Sequence, residues 1–126
     1  MLKYLVTLLA IMVAQISLAA YPDRSIRLVV PFATGGTSEI VARSVANSLS
    51  TSLGQSVYVD NKPGGAGNIA MEEMKRAKPD GYTLMLGHVG TLAVNPALFG
   101  KKLPYDPNAD FAPVTLRSEE RRVGKE

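Results

Sequence analysis

The amino-acid sequence predicts an α/β domain built on a parallel sheet. Three short apolar runs, at residues 26–30, 57–59 and 82–86, are each followed by a glycine-bearing loop. Segments of helical apolar periodicity separate them. The links are short. Strand–helix–strand alternation with short links favours parallel strands joined by right-handed crossovers.

Ahead of the domain stands a leader. Lys3 supplies an early positive charge, and residues 4–18 are apolar apart from Thr7, Gln15 and Ser17. Ser17 and Ala19 put small residues at the −3 and −1 positions of a cleavage site after Ala19. That order is a secretory signal peptide over residues 1–19. A membrane-spanning helix needs about 20 apolar residues, and this run is shorter. There is no cysteine, so neither disulfides nor a lipid-modified cysteine is available. The chain carries 14 basic and 11 acidic residues. Cleavage removes Lys3 and leaves a mature charge of about +2, without the clustered cations of a nucleic-acid footprint. The mature part, about 107 residues, is enough for one small core, read as a domain over residues 20–116.

The first strand, 26–30, is stopped by Pro31. Residues 32–38 form a loop carrying Gly35 and Gly36. A helix from about 38 to 53 comes next, with Val41, Val45, Leu49 and Leu53 on one stripe joined by Ala42 and Ala46. Thr37 or Ser38 can cap its first turn, Glu39 suits the positive end of its dipole, and Gly54 stops it. Residues 57–59 form the second strand and 60–67 a glycine-rich turn. Asn68 can cap a second helix to about Ala77, with Ile69, Ala70, Met74 and Ala77 inward. Residues 79–81 are a turn, 82–86 the third strand, 87–91 a third loop, and a short helix spans about 92–98. Pro104, Pro107 and Pro113 break the remainder into extended pieces.

In parallel sheets ligands sit beyond the carboxyl ends of the strands, where these loops lie. Phe32, Ala33, Thr34, Gly35, Gly36, Thr37 and Ser38 feed into a helix N-terminus, whose free N–H groups and dipole favour an anion. The same pattern serves an ordinary strand-to-helix turn. Gly87, His88, Val89, Gly90 and Thr91 repeat the arrangement at the third strand and could face the same cleft. His88 is the only histidine, so it reads as a capping or packing residue before a catalyst. Neither a zinc site nor a hydrolytic triad has the residues it needs. Gly65 to Ala70 fits G-x-G-x-x-A, but residues 60–63 separate it from its strand and the next strand ends in Gly87-His88 without an acid.

A set of short motifs stands in order: Tyr21-Pro22-Asp23-Arg24, Val29-Val30-Pro31-Phe32 with Gly35-Gly36, Val41-Ala42-Arg43, Leu53-Gly54-Gln55, Asn61-Lys62-Pro63-Gly64 with Gly67-Asn68-Ile69, Pro79-Asp80-Gly81-Tyr82, Asn95-Pro96, and Leu103-Pro104-Tyr105-Asp106. Together they resemble the tripartite tricarboxylate transporter substrate-binding receptors, the Bug family. The resemblance covers roughly residues 21–116. It implies the first domain of a two-domain periplasmic-binding-protein (Venus-flytrap) fold, with the second domain absent. It also implies a periplasmic receptor; a monomer without cofactor is expected, and with only His88 and scattered hydroxyls as reactive groups no enzymatic activity is expected. Such a receptor takes a small carboxylate and hands it to membrane permease subunits. The ligand would be held by residues 32–39 and 87–91.

Two departures from that pattern stand out. The family usually has Asp where this chain has Glu39, which would turn away as a helix-end charge or pair with an amino group of the ligand. After Leu116 the family continues as an apolar strand, whereas residues 117–126 here are charged, with one apolar side chain. That tail reads as non-native and the chain as a fragment. A nucleotide-dependent or hydrolytic enzyme, or a non-functional truncated product, is the alternative.

Overall fold

The computed structural model describes residues 21–115; the expected leader (1–19) and tail (117–126) lie outside the described residues. Three parallel strands, β1 (Ile26–Val30), β2 (Val57–Asn61) and β3 (Thr83–Met85), form a sheet in the order β2-β1-β3. Helix α1 (Thr37–Leu53) links β1 to β2, and α2 (Asn68–Arg76) carries the chain back past β1 to β3. Right-handed crossovers made in opposite directions place their helices on opposite faces, and the side chains agree. Ile26, Leu28, Val30 and Val57 pack with Ala42 and Ala46 of α1. On the other face Arg27 reaches Glu73 of α2, and Val29, Ala70 and Met71 are buried.

The sequence expectations hold for the element order and for the α1 stripe, whose two alanines are its most buried members. Gly54 closes α1 at φ 67°, a left-handed conformation that an L side chain adopts only with strain. β3 is shorter than the 82–86 expected, and five other details differ. β2 continues through Asp60 and Asn61, which pair in register with Val29 and Val30. Their side chains supply the reason: Asp60 accepts from Arg27 Nε at 2.7 Å, and Asn61 Nδ2 donates to the Phe32 carbonyl at 3.0 Å. The N-cap of α1 is Gly36, with no side-chain cap from Thr37 or Ser38. Asn68 does not cap α2 either, because its side chain is engaged by Asn95 and Tyr105. Met71 rather than Ile69 is buried on α2, Ile69 being 54% exposed. Finally, the helix expected at 92–98 is a π-helical turn (Gly90–Val94) running into a short α3 (Asn95–Phe99).

Two of the sequence motifs prove to be partners. Tyr21 OH donates to the Gly81 carbonyl at 2.7 Å, and Tyr82 OH donates to Asp23 at 2.6 Å. The Arg24 guanidinium lies 3.9 Å above the Tyr82 ring and bonds Asp80 at 3.0 Å. Residues 21–24 are thereby docked on the turn before β3, at the end of the sheet opposite the glycine-bearing loops.

Candidate functional site

The order β2-β1-β3 makes the gap between β1 and β3 a topological switch point, since the connections leaving and returning across β1 run to opposite sides. Crevices outside such points are where open α/β sheets bind ligands. The first loop leaves β1 and the third leaves β3, so sheet pairing alone brings them side by side. Leu86 N–H donates to the Val29 carbonyl at 2.9 Å and carries the pairing up to the loops. At the top, the His88 ring meets Phe32 edge-on, with centroids 4.9 Å apart.

The first loop is organised by Glu39. Its side chain is 9% exposed and turns back beneath the loop. One carboxylate oxygen accepts the Gly35 N–H at 2.5 Å; the other accepts Arg43 Nε at 2.8 Å and Nη2 at 2.5 Å. The Gly35 N–H, and then Arg43, hold the Glu39 carboxyl below its ordinary value of 4.5. Glu39 is therefore engaged by the chain itself. Ala33, Thr34 and Thr37 are exposed, and α1 starts there with no side-chain cap. A helix of 17 residues thus begins with no side chain capping it, and with the Glu39 and Ile40 N–H groups on the Gly36 carbonyl the N–H groups of Thr37 and Ser38 are the ones left for a ligand beside exposed hydroxyls, an arrangement suited to an anion.

The third loop is organised from below. Thr91, expected to face the cleft, is fully buried, and its hydroxyl donates to the His88 carbonyl at 3.0 Å. His88 Nδ1 accepts the Gly90 N–H at 3.0 Å, which ties the imidazole to its own turn. Gly87, His88 and Val89 are exposed. Among the described residues no cluster of His, Cys, Asp or Glu could hold a metal ion.

Gly67 joins the two loops. Its φ is +87°, and a Cβ built there would lie 2.6 Å from Thr91 Cγ2 and 3.3 Å from Pro31 Cβ. In a dinucleotide fingerprint this glycine leaves room for a pyrophosphate. Here the space is filled by Thr91 of the third loop and by Pro31, which leads from β1 into the first loop. Sequence reasoning assigned the site to two loops and missed their supports, Asn61, Gly67, Asn95 and Tyr105. All four stand in the ordered motifs, so the signal was present without its geometry.

The tripartite tricarboxylate transporter family receptor model matches residues 41–120 of the chain. A UPF0065 protein of Bordetella bronchiseptica is 44% identical over 107 residues, covering 85% of this chain and 32% of that protein. Among solved structures, MatC of Rhodopseudomonas palustris with bound malate is similar at a TM-score of 0.71 and 42% identity, over 75% of this chain and 32% of that one. The periplasmic binding protein BugD is similar at 0.69 and 44% identity, over 74% and 30%. The chain spans about a third of the length of the curated relatives it matches.

Proposed function

The chain belongs to the tripartite tricarboxylate transporter receptor family, and from that premise we propose that it captures a small carboxylate outside the cytoplasm and passes it to a transporter's membrane permease. The observation that carries the reading is the uncapped start of α1 beside the third loop, at the switch point of the sheet. A carboxylate there gains the helix-end N–H groups and roughly 0.3–2 kcal/mol from the dipole. Malate bound to the similar MatC protein supports the chemical class. The relatives being binding receptors points away from catalysis, and the engagement of His88 Nδ1 by Gly90 agrees with that.

On this reading residues 20–116 belong to the first domain of a two-domain receptor, with Phe32 to Glu39 and Gly87 to Thr91 forming one wall of a cleft. Glu39 acts on the ligand through the loop, by fixing Gly35. The protein works as a monomer in the periplasm, delivered there by a leader cleaved near Ala19. One wall alone leaves a ligand half exposed, so the chain by itself should bind more weakly than about micromolar, roughly −8 kcal/mol. Calorimetry against mono-, di- and tricarboxylates is the test, using this chain and a version extended to the length of its relatives. Stoichiometric, saturable binding of a carboxylate by the extended version, without product, is the expected result. Nucleotide binding or turnover, or indifference to every carboxylate, would sink the reading.

A further inference from the structure

Three motif residues outside the two loops remain to be explained together: Asn68, Asn95 and Tyr105. They meet in the interior, beneath the third loop. Asn95 Nδ2 spends both hydrogens, one on the Ala66 carbonyl at 3.0 Å and one on Asn68 Oδ1 at 2.8 Å. Tyr105, 4% exposed, donates its hydroxyl to the Thr91 carbonyl at 2.6 Å and lies 3.2 Å from Asn68 Oδ1. Burial pushes the Tyr105 phenol above its ordinary 10.0, which keeps the donor proton in place at neutral pH.

The Thr91 carbonyl needs that donor for a reason visible in the backbone. Gly90–Val94 is a π-helical turn in which Asn95 N–H bonds the Gly90 carbonyl. At the same spacing the donor for Thr91 would be residue 96. Residue 96 is proline, which has no N–H. A carbonyl buried without a partner is unfavourable, and the Tyr105 hydroxyl takes the donor's place from another part of the chain. Asn95-Pro96 and Leu103-Pro104-Tyr105-Asp106 are thus two halves of one device.

We propose that Tyr105, seated by Asn68 and Asn95, is a positioning residue that latches the third loop by replacing the backbone donor that Pro96 removes. Its bearing on ligand capture rests on the reading of residues 87–91 as ligand-holding; the latch itself does not.

Hydrogen exchange on the ligand-free chain tests the latch. In Tyr105→Phe the Leu92 and Asn95 amides, bonded to the His88 and Gly90 carbonyls, should exchange roughly tenfold faster or more. The Ile26 amide, bonded to the Ser56 carbonyl, should change little. Pro96→Ala restores an N–H five residues after Thr91, so the Pro96→Ala/Tyr105→Phe double variant should recover most of the lost protection, and should fold even if Tyr105→Phe alone does not. Unchanged exchange at Leu92 and Asn95, an equal rise at Ile26, or a double variant no better than Tyr105→Phe overturns the proposal. Calorimetry with malate is a separate arm. If the wild type binds malate, Tyr105→Phe should weaken binding about tenfold, and unchanged binding overturns the positioning role. A wild type that ignores malate counts against malate as the ligand, not against the latch, which is then judged on exchange alone.

Discussion

The first and third loops look alike in sequence, each a glycine-bearing link from a strand into a helical segment, yet they are held by opposite means. The first is held by charge: Glu39 takes the Gly35 N–H and is itself gripped by Arg43. The third is held by neutral groups: Thr91 on the His88 carbonyl and Tyr105 on the Thr91 carbonyl. Charge-held geometry titrates and is screened by salt; a neutral buried network does neither near neutral pH. The first loop is consequently the one whose shape should respond to its surroundings, and the third supplies a fixed reference beside it.

Gly67 is where the comparison is easiest to break, because it packs against both loops. In Gly67→Ala the side chain must accept a left-handed conformation, about 1–2 kcal/mol, and push into Thr91 and Pro31, about 1–3 kcal/mol more. A loss of roughly 2–5 kcal/mol is expected, read as a lower urea midpoint at unchanged slope. Gly54→Ala is the control. Its φ is also positive, but an added Cβ meets nothing within 4 Å, so only the backbone part, about 1–2 kcal/mol, should appear. Equal losses in the two variants would mean that Gly67 does not couple the loops.

Acid should separate the loops where Gly67 joins them. The Glu39 carboxyl sits below its ordinary 4.5 in the folded chain. A depressed carboxyl contributes stability that is fully present above 4.5 and is lost as pH falls through the folded value. Protection of the Gly35 amide should therefore fall with acid below about pH 4.5, and by more than that of the Leu92 and Asn95 amides, whose link to acid runs through Asp110 on the Asp106 N–H next to Tyr105. Glu39→Gln should abolish the pH dependence at Gly35. The readout must be local, because Asp110, held low by the Asp106 N–H and Lys75, adds its own acid dependence to global stability. Acid loss at Leu92 equal to that at Gly35 would erase the contrast between the loops.

Legibility in the sequence tracks the reach of each interaction. The α1 stripe, β1 and the Gly54 stop depend on neighbours within a few residues, and the periodicity showed them. Asp60 and Asn61 read as turn residues because their reasons for being strand lie elsewhere, in Arg27 and the Phe32 carbonyl. Asn68 read as a cap because an asparagine before a helical run usually is one; its side chain instead joins a contact 27 residues away. Thr91 read as a cleft-facing hydroxyl because the buried Tyr105 that caps its carbonyl comes 14 residues later. The location of the candidate site at the two loops could be argued from strand order. What holds each loop could not, since it turns on individual hydrogen bonds between segments distant in sequence.

The smallest effect expected is also the one that isolates charge most cleanly. Arg43 is 63% exposed, and its i,i+4 pairing with Glu39 is of the kind that contributes little at a surface. Glu39, however, divides its oxygens, one on Gly35 and one on Arg43. Arg43→Ala should therefore leave the Gly35 hydrogen bond in place and loosen it, roughly two- to fivefold in exchange at that amide. Added salt should produce much of the same loosening in the wild type and little further change in Arg43→Ala, because screening acts on the bond the substitution has already removed. The third loop, held directly by the Thr91 and Tyr105 hydroxyls and touched by charge only through Lys75 and Asp110 on the segment that carries Tyr105, should respond less to either. If salt loosened it as much as the first loop, its hold would not be neutral, and the division of labour between the two loops would have to be redrawn.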